Sequence, residues 1–489
     1  MASNPDFDVV VVGAGISGIN AAYRIQSNFP NYRYCILEAR DAIGGTWDLF
    51  RYPGIRSDSD LFTFGFQWYP WDRSNPIATG ESILEYLAEA SSRHGIDKNI
   101  RFKHTLQHAS WSTDHQRWTL SVRRGNETTS ISCRHVVFGT GYYDYSTPLE
   151  AHIPGLENFA GQVVHPQFWP EKLDYTDKKV VVVGSGATAV TLVPKLAEKA
   201  KLATMLQRSP TYIVALPNRS TSSLIDHVLP RALTLRLKRL RWILSSRLFF
   251  LFCTSFPWSA RWLLRRRTLR LLPTSTSFDP HFNPTYGPWK QRLCVCPDGD
   301  FYKSLHTGRA DVATGTIETV TSAGIQLDAG AFLDADIIVT ATGLRVQLGG
   351  GATLDVDGKP LAPSDKFMWR GAMLQDVPNA FFVMGYTNAS WTLGADATAT
   401  LMVRLLRTLE EKGATSTRPR VQSPESMEPA PLLNLDSTYV KRAAGRLPKV
   451  ASEGVFASRT NYLADDFRAR YGSLDGLEWH YAVVGNEKT

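Results

Sequence analysis

A strand, a glycine-rich turn, a helix and a second strand follow one another near the start of the chain, and this order constrains the fold more than any other feature. Residues 7–12 form a short apolar run, the turn spans 13–18, residues 16–25 show helical spacing, and 34–38 form the second apolar run. Short apolar runs bounded by glycine are typical of buried strands. The order predicts a Rossmann-like α/β unit that binds a dinucleotide.

The turn itself reads Gly13-Ala14-Gly15-Ile16-Ser17-Gly18. The first glycine permits the tight turn, the second lets a pyrophosphate approach the backbone, and the third allows close helix packing. The helix N-terminus, where we place Ser17, then faces the phosphates. Glu38 stands twenty residues after Gly18, at the end of the second strand, where a carboxylate accepts hydrogen bonds from a ribose diol. This first unit favours FAD.

A second unit of the same kind begins at residue 180, with a strand at 180–183, a helix at 187–199 and a strand at 202–207. Its turn reads Gly184-Ser185-Gly186-Ala187-Thr188-Ala189, with alanine in place of the third glycine. Arg208 and Ser209 occupy the position that corresponds to Glu38, and a planar guanidinium suits a 2′-phosphate. The second unit therefore favours NADPH, unless Arg208 is an ordinary exposed charge at a strand end.

The length of 489 residues predicts two or three lobes. We expect an α/β protein with two Rossmann-like domains: a discontinuous FAD-binding domain (1–150 and 346–489) and an NADPH-binding domain (151–345) with a helical insertion at about 218–285. Alternating residues around Trp111 and Trp118 predict an antiparallel hairpin. The polar stretch 413–431 predicts a surface linker.

The net charge of +8 is concentrated in one segment. Residues 224–272 contain eleven Lys or Arg and one acid, so the rest of the chain is slightly acidic and nucleic acid is not an expected partner. A helix with arginine on one side and Trp and Phe on the other could lie on anionic lipid as a peripheral contact. The alternative, which we favour, is that its apolar face lines the substrate pocket or packs on the neighbouring domain. The longest uncharged run, 248–260, is too short to span a bilayer.

Five scattered cysteines show neither CxxC nor zinc-type spacing, so no metal site is predicted. Such cysteine usage fits a reducing compartment. The N-terminal residues lack the features of a secretory signal, and we therefore expect a cytoplasmic protein, possible contact with a membrane surface aside. A flavin disulfide reductase is disfavoured because Cys294-Val295-Cys296 has the wrong spacing for its redox pair.

Two further motifs point to one family. Residues 44–58 read GGTWDLFRYPGIRSD, and residues 159–170 read FAGQVVHPQFWP. In these motifs the chain resembles the type I Baeyer-Villiger monooxygenases, a group of class B flavoprotein monooxygenases. SDSD at 57–60 and GYTNASWTL at 385–393 make it most similar to the mycobacterial ethionamide-activating branch.

The resemblance implies that NADPH reduces FAD, that O2 adds to the flavin at C4a, and that the resulting peroxide converts a ketone to an ester or lactone. It aligns Arg292 with the family's active-site arginine and Asp58 with the acid that holds it; the plainer alternative is a structural ion pair. Many relatives carry lysine where this chain has Gln291, which bears on the preference for NADPH over NADH. It adds Gly45, Thr46, Trp47 and Asp58 to the FAD site, and Phe159, Gly161, His165 and Trp169 as a fingerprint that couples the domains.

Two other functions compete with this hypothesis. One is a flavin monooxygenase that oxygenates sulfur or nitrogen, and the ethionamide-type resemblance makes sulfoxidation of a thioether an expected side activity. The other is a non-catalytic flavin-binding protein of the membrane surface built around the basic insertion. The sequence predicts O2 and a small ketone or thioether as reaction partners, and it gives no oligomeric state.

Overall fold

The computed structural model describes residues 4–219, 228–421, 427–433 and 438–481. Residues 220–227 of the expected insertion, 422–426 of the expected linker and 482–489 of the tail lie outside the described residues. The strands are β1 Phe7–Val12, β2 Tyr34–Glu38, β3 Ile100–Phe102, β4 Thr105–Ser112, β5 Arg117–Arg124, β6 Glu127–Phe138, β7 Gln162–Val164, β8 Lys179–Val183, β9 Leu202–Gln207, β10 Ile213–Leu216, β11 Cys294–Pro297, β12 Ala310–Thr314, β13 Ile317–Thr321, β14 Gly324–Leu327, β15 Phe332–Asp334, β16 Ile337–Thr340, β17 Thr353–Val356, β18 Lys359–Pro360, β19 Met368–Trp369, β20 Met373–Leu374, β21 Ala380–Phe382, β22 Ala414–Pro419, β23 Pro429–Pro431, β24 Lys449–Ala451 and β25 Leu477–Tyr481. The helices are α1 Ile16–Asn28, α2 Thr46–Leu49, α3 Leu61–Phe64, α4 Gly80–Arg93, α5 Ala187–Leu196, α6 Arg231–Ser255, α7 Pro257–Leu271, α8 Asp300–His306, α9 Trp391–Lys412, α10 Thr438–Ala443 and α11 Tyr462–Tyr471.

The first sheet carries the first glycine-rich turn. Its strands follow the order β18-β17-β4-β5-β6-β1-β2-β3, and β21 also pairs with β6. At its centre β1 runs parallel to β2 and β6, with Val10 opposite both Cys35 and Val136. The sheet is covered by α1, α4 and α9 through a buried apolar cluster that includes Ile19 and Leu405. The carboxyl end of β1 therefore opens beside the N-terminus of α1, as the sequence pattern predicts.

The second sheet carries the second turn and is parallel throughout, in the order β12-β9-β8-β16-β7. Its apolar strands are buried on both faces, which explains their nearly continuous valine, isoleucine and leucine sequence. Both sheets confirm the predicted α/β fold. We propose domain boundaries near residues 150 and 345, because every strand of the first sheet lies outside this range and every strand of the second sheet lies within it.

Two local predictions differ from the structure. The predicted hairpin is a three-stranded meander, because β5 pairs antiparallel with β6 as well as with β4. The predicted linker at 413–431 is wrong at its start, since β22 pairs antiparallel with β25 and the side chains of Ser416 and Thr417 are buried. The partner strand β25 is distant in sequence, and the polar residues of β22 give no periodic apolar pattern that would predict a strand.

The basic insertion folds into α6 and α7, and α6 is attached to the first sheet's helices by a buried arginine. Arg239 donates to Asp396 of α9 at 2.8 Å and to three backbone carbonyls around α3. A buried guanidinium needs such partners because an unpaired buried charge would destabilise the folded protein. Leu235 and Ile243 are buried on the same face of α6. Within the residues described, no helix is long and apolar enough to cross a bilayer.

Candidate active site

A cavity of about 620 Å³ extends along the carboxyl end of the first sheet to the second glycine-rich turn. It is lined by predicted site residues from both units: Gly13, Gly15, Ser17, Glu38, Gly45, Thr46, Trp47, Asp58, Ala187, Thr188 and Arg292. The predicted residues that do not line it are Gly18, Gly184, Gly186, Arg208, Ser209, Phe159, Gly161, His165 and Trp169. The structure thus brings the first unit, the 44–58 motif and Arg292 to one space.

The first turn is closed tightly against its neighbours. Gly13 has φ +99°, a left-handed conformation that favours glycine. A Cβ atom added to Gly18 would overlap the carbonyl oxygen of Gly13, so the third glycine is required where α1 packs on the turn. Gly139, at the end of β6, approaches Gly18 closely from the other side. The backbone N–H groups of α1 are therefore held at the cavity wall.

Glu38 is buried at the end of β2 and lines the cavity. Its carboxylate accepts hydrogen bonds from the backbone N–H of Ala14 at 2.7 Å and of Arg40 at 2.9 Å. Burial raises the pKa of this carboxyl, and the two N–H donors act in the opposite direction. The side chain thus both fixes the turn and offers remaining acceptor capacity to the cavity.

Two aromatic side chains, Trp391 and Tyr142, line the cavity near the first glycine-rich turn. Trp391 stacks on Tyr142 with ring centroids 4.9 Å apart, and its indole N–H donates to Ser17 Oγ at 2.8 Å. The hydroxyls of Thr46 and Tyr145 lie 2.8 Å apart. These contacts fix α2 and the start of α9 against the loop that follows β6.

The second turn is more open than the first. Ala187 is exposed, and a Cβ atom added to Gly186 would meet nothing within 4 Å. Thr188, in the first turn of α5, faces the cavity, and the buried hydroxyl of Tyr52 lies beside it. The N-terminus of α5 is therefore accessible both from solvent and from the cavity.

Arg208 and Ser209 follow β9, the strand next to β8 in the second sheet. The Ser185 hydroxyl donates to the Ser209 carbonyl at 3.2 Å, which ties this corner to the second turn. The Arg208 side chain is exposed. The corner presents a cation beside the turn at the position that sequence spacing predicts.

Arg292 and Asp58 are in contact although 234 residues separate them. Arg292 Nη2 donates to Asp58 Oδ1 at 3.0 Å and to Ser59 Oγ at 2.9 Å. Both charged side chains are about one-third exposed, and both line the cavity. The guanidinium is held by an acid and a hydroxyl while part of it faces the space between the two turns.

Asp60 lies two residues after Asp58 and caps α3. It accepts hydrogen bonds from the backbone N–H of Thr63 at 2.8 Å and from its hydroxyl at 2.7 Å. Loss of solvation raises the pKa of this carboxyl to about 6, against these hydrogen bonds. The sequence analysis did not single out Asp60, although the Ser57-Asp58-Ser59-Asp60 pattern before a short apolar run is an N-cap signal.

The 159–170 motif lies at the edge of the second sheet, away from the cavity. Phe159 and Trp169 are buried, and the His165 side chain accepts from the backbone N–H of Gln167 at 3.2 Å. Burial lowers the pKa of His165. A Cβ atom on Gly161 would overlap the Asp336 carbonyl oxygen. These residues form a tightly packed link rather than a part of the cavity wall.

Gln167 is the contact that joins this motif to the first unit. Its side-chain N–H donates to the carbonyl of Asp144 at 2.7 Å, and Asp144 follows the strand β6 that closes the first turn. Trp169 shares a buried cluster with Phe50 and Tyr52 of the 44–58 motif. The sequence analysis did not single out Gln167, Tyr142 or Tyr145; the Gly139-Thr140-Gly141 turn after a strand was the available signal for the two tyrosines.

Comparisons with known proteins agree with this geometry. FAD-containing monooxygenase EthA of Mycobacterium tuberculosis is 43% identical over 471 residues, which cover 96% of each chain. Probable FAD-binding monooxygenase AlmA of Acinetobacter baylyi is 43% identical over 477 residues, covering 97% of this chain and 96% of that protein.

Solved structures show the same fold at lower identity. OTEMO in complex with FAD and NADP has a TM-score of 0.73 at 20% identity, covering 98% of this chain and 100% of that one. Oxidized steroid monooxygenase bound to NADP has a TM-score of 0.74 at 21% identity, covering 97% and 99%. The expected resemblance to flavoprotein monooxygenases is confirmed. A family model described as FMO-like, flavin-binding monooxygenase-like, matches residues 7–347. The chain therefore belongs to the flavin-binding monooxygenase-like family.

Proposed function

We propose that this protein uses FAD, NADPH and O2 to insert one oxygen atom into a ketone, giving an ester or lactone. The observation that carries the proposal is the Arg292–Asp58 pair at 3.0 Å, in the wall of a cavity that residues of both glycine-rich units line. A cation held here would lie between a flavin bound at the first turn and a coenzyme bound at the second.

The residues of the first unit fit FAD. Gly13, Gly15 and Ser17 surround the N-terminus of α1, where backbone N–H groups and the helix dipole favour a pyrophosphate. Glu38 lies at the adenosine end, and Thr46 and Trp47 line the cavity farther along. EthA, 43% identical to this chain, is named an FAD-containing monooxygenase. We assign these residues, with Gly18, Gly45 and Asp58, to the FAD site.

The second unit fits NADPH. Gly184, Gly186, Ala187 and Thr188 surround the N-terminus of α5, which is open to an incoming pyrophosphate. Arg208 and Ser209 supply a cation and a hydroxyl for a 2′-phosphate, which a bare ribose diol would not need. NADP is present in the OTEMO and steroid monooxygenase complexes. Since Thr188 and Arg292 line the same cavity, NADPH bound here would reach the flavin side.

When bound, FAD would supply the redox chemistry: reduced by NADPH, it would activate O2, so that one oxygen atom enters the ketone and the other leaves as water. The contribution of the chain is electrostatic: attack on a ketone carbonyl places negative charge on its oxygen, and Arg292 provides a fixed cation to stabilise that charge. Asp58 and Ser59 hold the guanidinium in place. Trp391 and Tyr142, which stack on each other, line the same cavity.

The proposal is tested by Arg292→Ala and Arg292→Lys, with the exposed Arg124→Ala as matched control. The measurements are bound flavin, NADPH oxidation, and the mass of products from linear, cyclic and aryl ketones. We expect Arg292→Ala to retain FAD and to lose ester formation by about 100-fold or more, the effect of removing one oxyanion-stabilising group. Arg292→Lys keeps the charge without the planar fork and should recover only part of the activity. Full ketone oxidation by Arg292→Ala would contradict the proposal.

A thioether substrate separates ketone oxidation from heteroatom oxygenation. Oxygen transfer to sulfur leaves no oxyanion derived from a carbonyl, so the guanidinium has less charge to stabilise. We therefore expect Arg292→Ala to lose more ester formation than sulfoxide formation. Equal losses, or sulfoxide as the only product of the wild-type protein, would favour a heteroatom monooxygenase.

A further inference from the structure

The basic insertion holds most of the large apolar side chains that are exposed among the described residues. Of the 19 large apolar side chains that are exposed among the described residues, 11 lie between Val228 and Leu269. Scattered exposed apolar side chains are ordinary, but a concentration on one element marks an interaction surface. The insertion is also the segment that carries the protein's excess positive charge.

One face of α6 forms a continuous leucine row. The row consists of Leu233, Leu237, Leu240, Leu244, Leu248 and Leu251, all exposed. Their spacing of three or four residues places them on a single side of the helix. The opposite side contains the buried residues Leu235, Arg239 and Ile243. The helix therefore has two apolar faces: one packs on the protein, as the favoured sequence interpretation states, and the other is open.

Arginines border the leucine row on both sides. At 100° per residue, Arg236 and Arg247 lie along one edge of the row and Arg241 lies along the other. Arg236 and Arg241 are exposed, and Arg247 is partly exposed with its guanidinium over the Phe250 ring at 5.3 Å. This order of cation, apolar row and cation is the arrangement of helices that lie in a lipid interface.

The next helix continues the same composition. Phe256 at the junction is 62% exposed, and Trp258 and Trp262 of α7 are 83% and 60% exposed. Arg266 places its guanidinium over the Trp262 ring at 5.4 Å, and Arg270 is exposed. Tryptophan is enriched at the headgroup level of bilayers, where arginines beside it can reach the lipid phosphates. The two helices thus combine apolar side chains for the acyl boundary with cations for the phosphates.

We propose that the leucine row of α6, with Phe256, Trp258 and Trp262, binds the surface of an anionic phospholipid bilayer. The α6 helix, roughly 37 Å long at ~1.5 Å per residue, lies along the interface with its arginines at the lipid phosphates. The positive charge favours lipid over a second copy of this chain as the partner. In a face-to-face dimer about a two-fold axis, the arginines along the leucine rows of the two copies would lie close together and repel each other. Arg239 and Asp396 keep the opposite face attached to the protein.

The test is flotation of the flavin-loaded full chain with vesicles of phosphatidylcholine, with or without phosphatidylglycerol, at low and high salt. We expect binding to the anionic vesicles that falls as salt rises. Leu244→Ser with Leu248→Ser should lower the partition coefficient about tenfold or more by removing apolar area from the row. Arg236→Gln with Arg241→Gln should lower it about 30-fold, on the estimate of about 1 kcal/mol for each cation near an anionic surface.

Matched controls lie on other surfaces. Phe332→Ser removes an exposed apolar side chain from β15, and Arg124→Gln removes an exposed cation from β5, so neither should change flotation. Flavin content and light scattering show that each variant is folded and give its size. Absence of binding to anionic vesicles at low salt, or equal binding by the leucine variant, overturns the proposal. A dimer that the leucine variant converts to monomer also overturns it, since a second copy would then cover the row.

Discussion

The two glycine-rich turns begin with the same spacing of glycines and end in different environments. In the first, Gly18 packs against the Gly13 carbonyl and Gly139, and Glu38 is buried beneath the turn. In the second, Gly184 packs against the Ala341 carbonyl and Ala189 is buried, but Gly186 has no neighbouring atom within 4 Å of an added Cβ. Ala187 and Arg208 are exposed. Both turns are anchored in the core at their first and last positions, and the second is open to solvent at its middle.

This difference suits one dinucleotide that stays bound and another that binds and dissociates in each catalytic cycle. An enclosed turn with an acid at its end retains a ligand whose adenosine diol is unmodified, as FAD has. An open turn with an arginine allows a phosphorylated coenzyme to enter and leave. We therefore propose that the first turn holds a resident cofactor and the second an exchanging coenzyme, and four substitutions test this proposal.

Gly18→Ala should have the largest effect. The methyl group would overlap the Gly13 carbonyl oxygen, so either the turn or α1 must move. We expect purified protein without bound flavin, measured by visible absorbance, and a lower melting temperature. Normal flavin content would show that the first turn is as permissive as the second, where Ala189 already fills the corresponding position.

Arg208→Gln should have the next largest effect, on coenzyme discrimination. Loss of a charge-assisted contact to the 2′-phosphate should raise KM for NADPH about 10- to 100-fold. KM for NADH, which lacks that phosphate, should change little. The ratio of the two values measured by steady-state oxidation checks this, and an equal change for both coenzymes would place Arg208 outside the phosphate site.

Glu38→Gln should weaken FAD binding about tenfold, because an amide is a poorer acceptor than a carboxylate for the ribose hydroxyls and for the N–H groups of Ala14 and Arg40. The dissociation constant is measured by reconstitution of flavin-free protein. KM for NADPH at saturating FAD serves as the control and should not change. An unaltered FAD dissociation constant would mean that Glu38 only supports the turn.

Ala189→Gly should have the smallest effect. It gives the second turn the third glycine of the first, and we expect a loss of about 1 kcal/mol in the free energy of unfolding from lower helix propensity. KM for NADPH should change less than threefold, which corresponds to a difference of about 0.6 kcal/mol in the free energy of coenzyme binding. Chemical denaturation and coenzyme titration check these two quantities. A large gain in NADPH affinity would mean that helix packing, and not openness, limits coenzyme binding.

The two units expected to bind dinucleotides are predicted accurately from local sequence. The bounds of β1, β2 and β9 agree with the predicted runs because strand, turn and helix are neighbours in the chain. The contact between Arg292 and Asp58 could not be predicted from local sequence. The two residues are 234 positions apart in the chain, and before the structure only the family resemblance indicated that they are paired.

Long-range pairing accounts for what sequence missed. The strand β22 was interpreted as part of a linker because its partner β25 lies near residue 480, and no periodic apolar pattern marks either strand. Arg239 was counted among the basic residues of the insertion with no sign that it differs from them, yet it is buried against carbonyls of α3 and of the residue after it. Both cases depend on neighbours that are distant in sequence, which composition and periodicity do not reveal.

The strand order of the two sheets has a consequence for synthesis on the ribosome. All strands of the second sheet lie between residues 162 and 340, so that sheet is complete as soon as its last strand has been made. The first sheet must still wait for β17 and β18 at 353–360 and for β21 at 380–382. At ~5–20 residues per second, the delay between residues 340 and 382 is roughly 2 to 8 s. Of the two sheets, the one that carries the N-terminal dinucleotide unit is thus the first to begin and the last to close, with its apolar strands open to chaperones in the interval.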